Sequence, residues 1–178
     1  MLETVQVLDK EFTLYITYEK LQNRIAEVAE QMKQDLEGKN PLFIVMLNGA
    51  FMFAAELMQC FDLSAEISFV KLSSYTGTKS SGKVEKLIGL TNNIEGREIV
   101  IVEDIVESGL TMKSMIKMLK EQNAGSIRIA ALFVKPNCLI HDVKVDYPLI
   151  EIADDFIVGF GLDYNGYGRN FKNIYKLK

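Results

Sequence analysis

The chain of 178 residues has little of what several functional classes require. Its two cysteines, Cys60 and Cys138, sit in apolar surroundings without metal-ligand spacing, so they are expected to be buried thiols of a reducing compartment. Its one histidine, His141, has no second histidine or paired cysteine to form a metal site with, and it reads as a surface or loop residue. There is no basic surplus: 20 Lys and Arg stand against 24 Asp and Glu, for a net charge of −4. Duplex binding is driven by Lys and Arg displacing counterions, so a nucleic acid is not expected as the main partner. A small phosphorylated ligand, which a few local donors can hold, stays open. No apolar run approaches the ~18 residues that span a bilayer. The opening MLETVQVLDKEF carries acids unlike a secretory signal, so a soluble, cytoplasmic chain with no membrane partner is expected. Neither G-x-G-x-x-G nor G-x-x-x-x-G-K-S/T is present to bind an organic cofactor.

What is present is a globular balance, with 48% hydrophobic and 25% charged residues. The length suits one domain spanning 1–178, able to bury a sizeable core. Thr17 can cap a helix in which Leu21, Ile25, Val28, Met32 and Leu36 recur at helical spacing before Gly38 stops it. LFIVML after Pro41 reads as a strand, FMFAAELMQCF as a helix that is either core or interface, and ISFVKL as a strand. SSYTGTKSSGKV, residues 73–84, reads as a loop, and KLIGL as a short strand. A helix follows over Thr111–Asn123, then the strand SIRIAALFV. Apolar strands alternating with amphipathic helices predict an α/β fold: a central, mostly parallel sheet flanked by helices.

The most informative stretch is IVIVEDIVESGLT, Ile99–Thr111. Ligands of open parallel sheets bind beyond the carboxyl ends of the strands. Glu103 and Asp104 stand where IVIV runs out, placed to accept hydrogen bonds from vicinal hydroxyls or to help hold Mg²⁺. Glu107-Ser108-Gly109-Leu110-Thr111 then leads into a helix whose free N–H groups and dipole favour an anion. One strand–loop–helix thus offers carboxylates for a polyol and donors for a phosphate, the two ends of a ribose 5-phosphate. The same residues also suit a capped helix after a strand with solvated acids.

VEDIVESGLT resembles the phosphoribosyl pyrophosphate (PRPP) motif of type I phosphoribosyltransferases: two acids, two apolar residues, an acid, a hydroxyl residue and glycine. VMLNGAFMFAAEL resembles the first loop of the hypoxanthine-guanine branch, SSY the start of its flexible lid, and LFVK its purine-contacting strand end. DFIVGFGLDYNGYGRN resembles its carboxyl-terminal hood. The resemblance implies the type I phosphoribosyltransferase fold, with a lid near 73–84 and a hood of about 136–178 joined by the N-terminal segment.

It also implies roles. Glu103 and Asp104 would bind ribose hydroxyls and Mg²⁺, with Asp163 as the second magnesium carboxylate. Glu107 to Thr111, including Ser108, Gly109 and Leu110, would cradle the 5-phosphate. Glu107 falls on the candidate general base, where the family usually has Asp; Ser108 replaces the commoner Thr. Leu47, Asn48 and Gly49 correspond to the loop that carries a cis peptide in the family and aims N–H groups at pyrophosphate. Ser74 and Tyr75 belong to the lid, and Arg169 would contact pyrophosphate. Lys135, Phe156, Ile157 and Asp163 would line the purine, Lys135 donating to a 6-oxo group that a 6-amino group could not replace.

The implied activity is purine salvage: PRPP and hypoxanthine, or guanine, give IMP or GMP and pyrophosphate, with Mg²⁺ and as a homodimer or homotetramer. A xanthine-preferring enzyme shares the 6-oxo group and remains open. A non-catalytic RNA-binding regulator on the same fold would want a basic face, for which only the sparse KLSSYTGTKSSGKVEK offers material.

Overall fold

Nineteen residues form the first helix, α1 (Tyr18–Leu36), because its apolar residues fall on one stripe and its start is capped. The Thr17 hydroxyl accepts from the Lys20 N–H at 3.4 Å, satisfying one orphan donor. Leu21, Ile25, Val28, Met32 and Leu36 are all buried, and each such side chain contributes about 1.5–3 kcal/mol on leaving water. Gly38, at φ 72°, lies just past the end.

The computed structural model describes residues 3–74, 84–88, 90 and 92–178. Two strands precede α1: β1 (Thr4–Val7) and β2 (Lys10–Ile16). After it come β3 (Leu42–Met46), α2 (Phe51–Cys60), β4 (Glu66–Ser74), β5 (Val84–Ile88) and β6 (Glu98–Val106). Then follow α3 (Leu110–Glu121), β7 (Ser126–Val134), a 3-10 turn at Pro136–Cys138, β8 (Tyr147–Glu151), β9 (Ile157–Val158) and β10 (Ile174–Leu177).

The larger sheet has the order β5-β4-β3-β6-β7-β8, parallel except for β5. Every residue of β3 is buried, because both faces of the sheet are covered. Phe43 and Val45 pack with α1 and α2, while Leu42, Ile44 and Met46 pack with α3. From β3 the chain crosses through α2 to β4 on one side, and β6 lies on the other. The crevice between the carboxyl ends of β3 and β6 is therefore the topological switch point, where open α/β sheets bind ligands.

A second, antiparallel sheet has the order β1-β2-β10-β9, with a core of Val7, Phe12, Val158 and Tyr175. It joins the two ends of the chain. Its strand β2 alternates Phe12, Leu14 and Ile16, a period-2 pattern.

Some expectations need adjusting. The third helix runs Leu110–Glu121, not Thr111–Asn123, because Gly109 already occupies its N-cap. Ser73, Ser74 and Val84, expected in a loop over 73–84, belong to strands; Tyr75 and residues 76–83 lie outside the described residues. Cys60 and Cys138 are free but only half-buried. Phe53, Ala54 and Leu57 of α2 are core, while Phe51 is exposed. No helix among the described residues is long and apolar enough to cross a membrane.

Candidate active site

At the switch point the backbone of β3 turns through a cis peptide between Leu47 and Asn48, then reaches Gly49. A Cβ on Gly49 would lie 1.5 Å from Asp104 Oδ2, so the Asp104 carboxylate is seated directly over the glycine. On another side, a Cβ on Gly161 would lie 2.0 Å from the Gly49 carbonyl oxygen. Asp104, Gly49 and Gly161 thus meet from three separate segments, and both contacts, Gly49 with Asp104 and Gly161 with Gly49, require the absence of a side chain. Glu103, beside Asp104, is buried. Burial, and then the Asp104 charge, push its carboxyl well above the ordinary value of 4.5.

After β6 the chain forms a small cavity of about 130 Å³, lined by Glu103, Glu107, Ser108, Gly109, Leu110 and Thr111 among others. Gly109 takes φ 79° at the N-cap of α3. The Ser108 hydroxyl accepts from the Leu110 N–H at 3.3 Å, and the Ser108 carbonyl accepts from the N–H groups of Ile140 and His141 at 3.2 and 3.1 Å. The segment carrying His141 therefore props the loop through its backbone. The first N–H groups of α3 lack partners within the helix, and together with its dipole they suit an anion in this cavity.

Beyond Glu107 lies a second cleft, of about 220 Å³, whose walls include Asp104, Glu107, Lys135, Asp155, Phe156 and Asp163. Lys135 follows β7, with its N–H donating to the Val106 carbonyl at 3.0 Å, and its side chain is 6% exposed. Its ammonium donates to the Glu107 carboxylate and, at 3.0 Å, to Asp154 Oδ1. Burial alone would lower the Lys135 pKa, but the two carboxylates reverse this and hold it above 10.5. Phe156 presents an exposed ring, backed by Phe12 at 6.3 Å and Tyr164 at 5.9 Å between ring centroids. Arg169 donates to the Gly161 carbonyl at 2.6 Å and pairs with Asp163 at 2.7 Å; Asp163 also accepts from the Gly166 N–H at 2.6 Å.

The chain matches the phosphoribosyl transferase domain family over residues 17–165, most of its length. It belongs to the phosphoribosyltransferase family, in the hypoxanthine-guanine branch. A hypoxanthine-guanine phosphoribosyltransferase of Streptococcus pyogenes is 45% identical over 149 residues, which is 83% of this chain and 81% of that one. The crystal structure of a hypoxanthine phosphoribosyltransferase from Staphylococcus aureus superposes with a TM-score of 0.88 at 36% identity, covering 93% of this chain and 90% of the other. That of Trypanosoma cruzi, in complex with the product IMP, gives 0.88 at 31% identity, covering 98% and 97%.

In this phosphoribosyltransferase many of the residues singled out by sequence line two neighbouring cavities that share Glu107. Leu47, Asn48 and Gly49 stand at the end of β3, and Glu103, Asp104 and Glu107 to Thr111 at the end of β6. Lys135 closes β7, while Phe156, Ile157, Asp163 and Arg169 come from the stretch around and after β9. The Ile157 side chain is buried. Ser74 ends β4, and Tyr75 lies outside the described residues. The sequence assigns no individual role to Asp154, or to Asp155 and Gly161 within the hood stretch. Their signals were an acid pair directly before Phe156 and the Gly-Phe-Gly of residues 159–161.

Proposed function

We propose that the protein transfers the 5-phosphoribosyl group of PRPP to N9 of hypoxanthine, and of guanine, releasing pyrophosphate and forming IMP or GMP for purine salvage. The observation that carries this reading is the ion pair of Lys135 and Glu107 in the wall of the second cleft. It sets a donor beside an acceptor, and a 6-oxopurine presents the complementary pair on one edge: the O6 acceptor beside N7–H. Adenine offers a donor at C6, which an ammonium cannot satisfy.

The residues divide the work as follows. The N-terminus of α3 and the Ser108–Thr111 loop take the 5-phosphate, and Asp104 and Glu103 face the ribose hydroxyls. Leu47, Asn48 and Gly49 offer backbone to pyrophosphate, with Arg169 nearby as a forked donor. Phe156 stacks on the base, and Ile157 offers its backbone beside it. The N9 lone pair attacks C1′ as the C1′–pyrophosphate bond breaks, and the N7 proton passes to Glu107. A carboxylate serves as that base when held within hydrogen-bond reach, and Lys135 holds this one. Tyr75 and Ser74 belong to a lid that excludes water from the reacting sugar.

Buried Glu103 beside Asp104 forms an acid pair, and hard carboxylate oxygens suit Mg²⁺. Among the described residues no three metal-ligating side chains converge, and Mg²⁺ commonly takes one or two carboxylates with substrate phosphates and water. When bound, Mg²⁺ supplies charge neutralisation at pyrophosphate. Glu103 and Asp104 would hold it, with Asp163 joining them on release from its ion pair with Arg169. We infer a cytoplasmic enzyme that assembles as a homodimer or homotetramer, without nucleic-acid or membrane partners.

The test is magnesium-dependent pyrophosphate release from PRPP with hypoxanthine, guanine, xanthine and adenine in turn. Release with the first two supports the proposal. Preferential release with xanthine moves specificity to the C2 contacts near Ile157. Silence on all four bases with PRPP still bound overturns the catalytic reading in favour of a regulator.

A further inference from the structure

Lys135 is tethered from two directions. Glu107 reaches it from the loop after β6, and Asp154 from the turn between β8 and β9. Its backbone is fixed on both sides, N–H to Val106 and carbonyl accepting from Cys138 N–H at 3.0 Å. An ammonium has three N–H donors on a tetrahedral nitrogen. Two carboxylates on separate segments take two of them, and the third direction is then set by geometry rather than by rotation of a flexible stem.

We infer that Asp154 is a positioning residue for base recognition: by holding one N–H of Lys135 while Glu107 holds another, it aims the remaining N–H at the 6-oxo group. The inference rests on the reading of the cleft as a 6-oxopurine site. Asp154 itself is well solvated, its side chain 76% exposed, whereas that of Lys135 is 6% exposed. The pair is therefore unequal. Losing Asp154 costs the solvated partner little but leaves a buried ammonium with a single tether and two free donors. That matters most during the reaction: once Glu107 has accepted the N7 proton it is neutral, and Asp154 remains the counter-charge that keeps Lys135 protonated and in place. Cys138 and Asp155 are the other ionisable groups close by; the Cys138 thiol is pushed up by burial and then by the Asp154 charge, and the Asp155 carboxylate is engaged with Lys176 at 3.2 Å.

The experiment compares Asp154→Asn, Asp154→Ala and Asp154→Glu with the wild type, measuring kcat and KM separately for hypoxanthine and for PRPP, with melting temperature alongside. Removing one partner of a buried donor is expected to lower kcat/KM for hypoxanthine about 10- to 100-fold in Asp154→Asn and Asp154→Ala. KM for PRPP stays near the wild-type value, and Asp154→Glu recovers much of the loss, because an exposed turn leaves room for one more methylene. Unchanged hypoxanthine kinetics in both neutral variants would overturn the inference. So would an equal loss toward both substrates accompanied by a fall in melting temperature, which marks a merely structural residue. If the wild type itself turns over no base, the functional reading has failed; Asp154 is then judged by calorimetric affinity for IMP, where the same fold loss supports the inference and equal affinity overturns it.

Discussion

The carbonyl oxygen of Gly49 occupies the space that a Cβ on Gly161 would need, 2.0 Å away. Gly161 also holds φ 102°, outside the region that residues with a side chain adopt readily. Backbone strain and overpacking against a main-chain atom act together in Gly161→Ala, for a loss of about 2–4 kcal/mol in chemical denaturation. A melting curve indistinguishable from the wild type would mean that the two segments separate freely.

Gly49→Ala should behave differently. The atom met by the new Cβ, 1.5 Å away, belongs to the Asp104 carboxylate, a side chain that can swing aside. Stability should fall less than in Gly161→Ala, while KM for PRPP rises about tenfold or more as Asp104 leaves its place, the scale of one lost charge-assisted hydrogen bond. Steady-state kinetics at fixed hypoxanthine would read this, and a normal KM would separate Asp104 from ribose binding.

Glu107→Gln keeps the size and the hydrogen bond to Lys135 but removes the proton acceptor. Loss of a general base lowers kcat about 10²- to 10⁴-fold. KM for PRPP should stay within roughly threefold, because the lost interaction belongs to the transition state. Unchanged turnover in single-turnover kinetics would take Glu107 out of the proton transfer.

Lys135→Ala leaves two carboxylates facing an emptied cleft, but Glu107 and Asp154 are 53% and 76% exposed and can be rehydrated. The fold should therefore survive, and PRPP binding with it. The kcat/KM for hypoxanthine should fall by roughly 10²-fold, the scale of a lost charged hydrogen bond at a buried site. Equal loss toward both substrates would make Lys135 a structural residue.

Tyr147 offers a pH test far from the chemistry. Its buried hydroxyl donates to Asp35 at 3.0 Å, and burial, followed by that hydrogen bond, raises its pKa well above 10.0. An acid raised in the folded state keeps its proton when the unfolded chain has lost it. Its contribution is thus complete below the unfolded value and shrinks as pH climbs above about 10. Tyr147→Phe should cost about 1 kcal/mol at neutral pH. That gap should narrow above about pH 10 in urea titrations, because the Phe variant has no proton to lose. A gap constant to high pH would mean the hydroxyl titrates normally.

Much of this was legible before any coordinates. The strands β3 and β6 announce themselves because a sheet covered on both faces needs unbroken apolar runs, and LFIVM and IVIV are such runs. The order of acids and hydroxyls from Glu103 to Thr111 placed the site at a strand end, where the crevice between β3 and β6 lies. The second sheet was harder to see. Phe12, Leu14 and Ile16 carry an alternating pattern, but the partner of Phe12 is Leu177, and no local pattern reveals a pairing across the whole chain. Asp154 was missed for a related reason: its meaning depends on how the turn after β8 is aimed, which follows from packing and not from its neighbours in sequence. The seating of Asp104 on Gly49 likewise exists only between segments brought together by the fold.

The second sheet also sets an order of assembly. Residues 42–151, which make the strands of the larger sheet, leave the ribosome before β10 exists, and synthesis runs from the N-terminus. Strand β2 pairs early with β1, but its other edge must wait for Ile174–Leu177, more than 150 residues later. The Leu177 N–H donates to the Phe156 carbonyl at 2.9 Å, so the backbone that carries the ring proposed to cover the base is fastened by a strand made long after β2. A nascent chain could thus hold a formed phosphate loop while its base cleft is still open, and a chain ended before Ile174 would keep Phe12 and Val158 uncovered, a surface that invites aggregation.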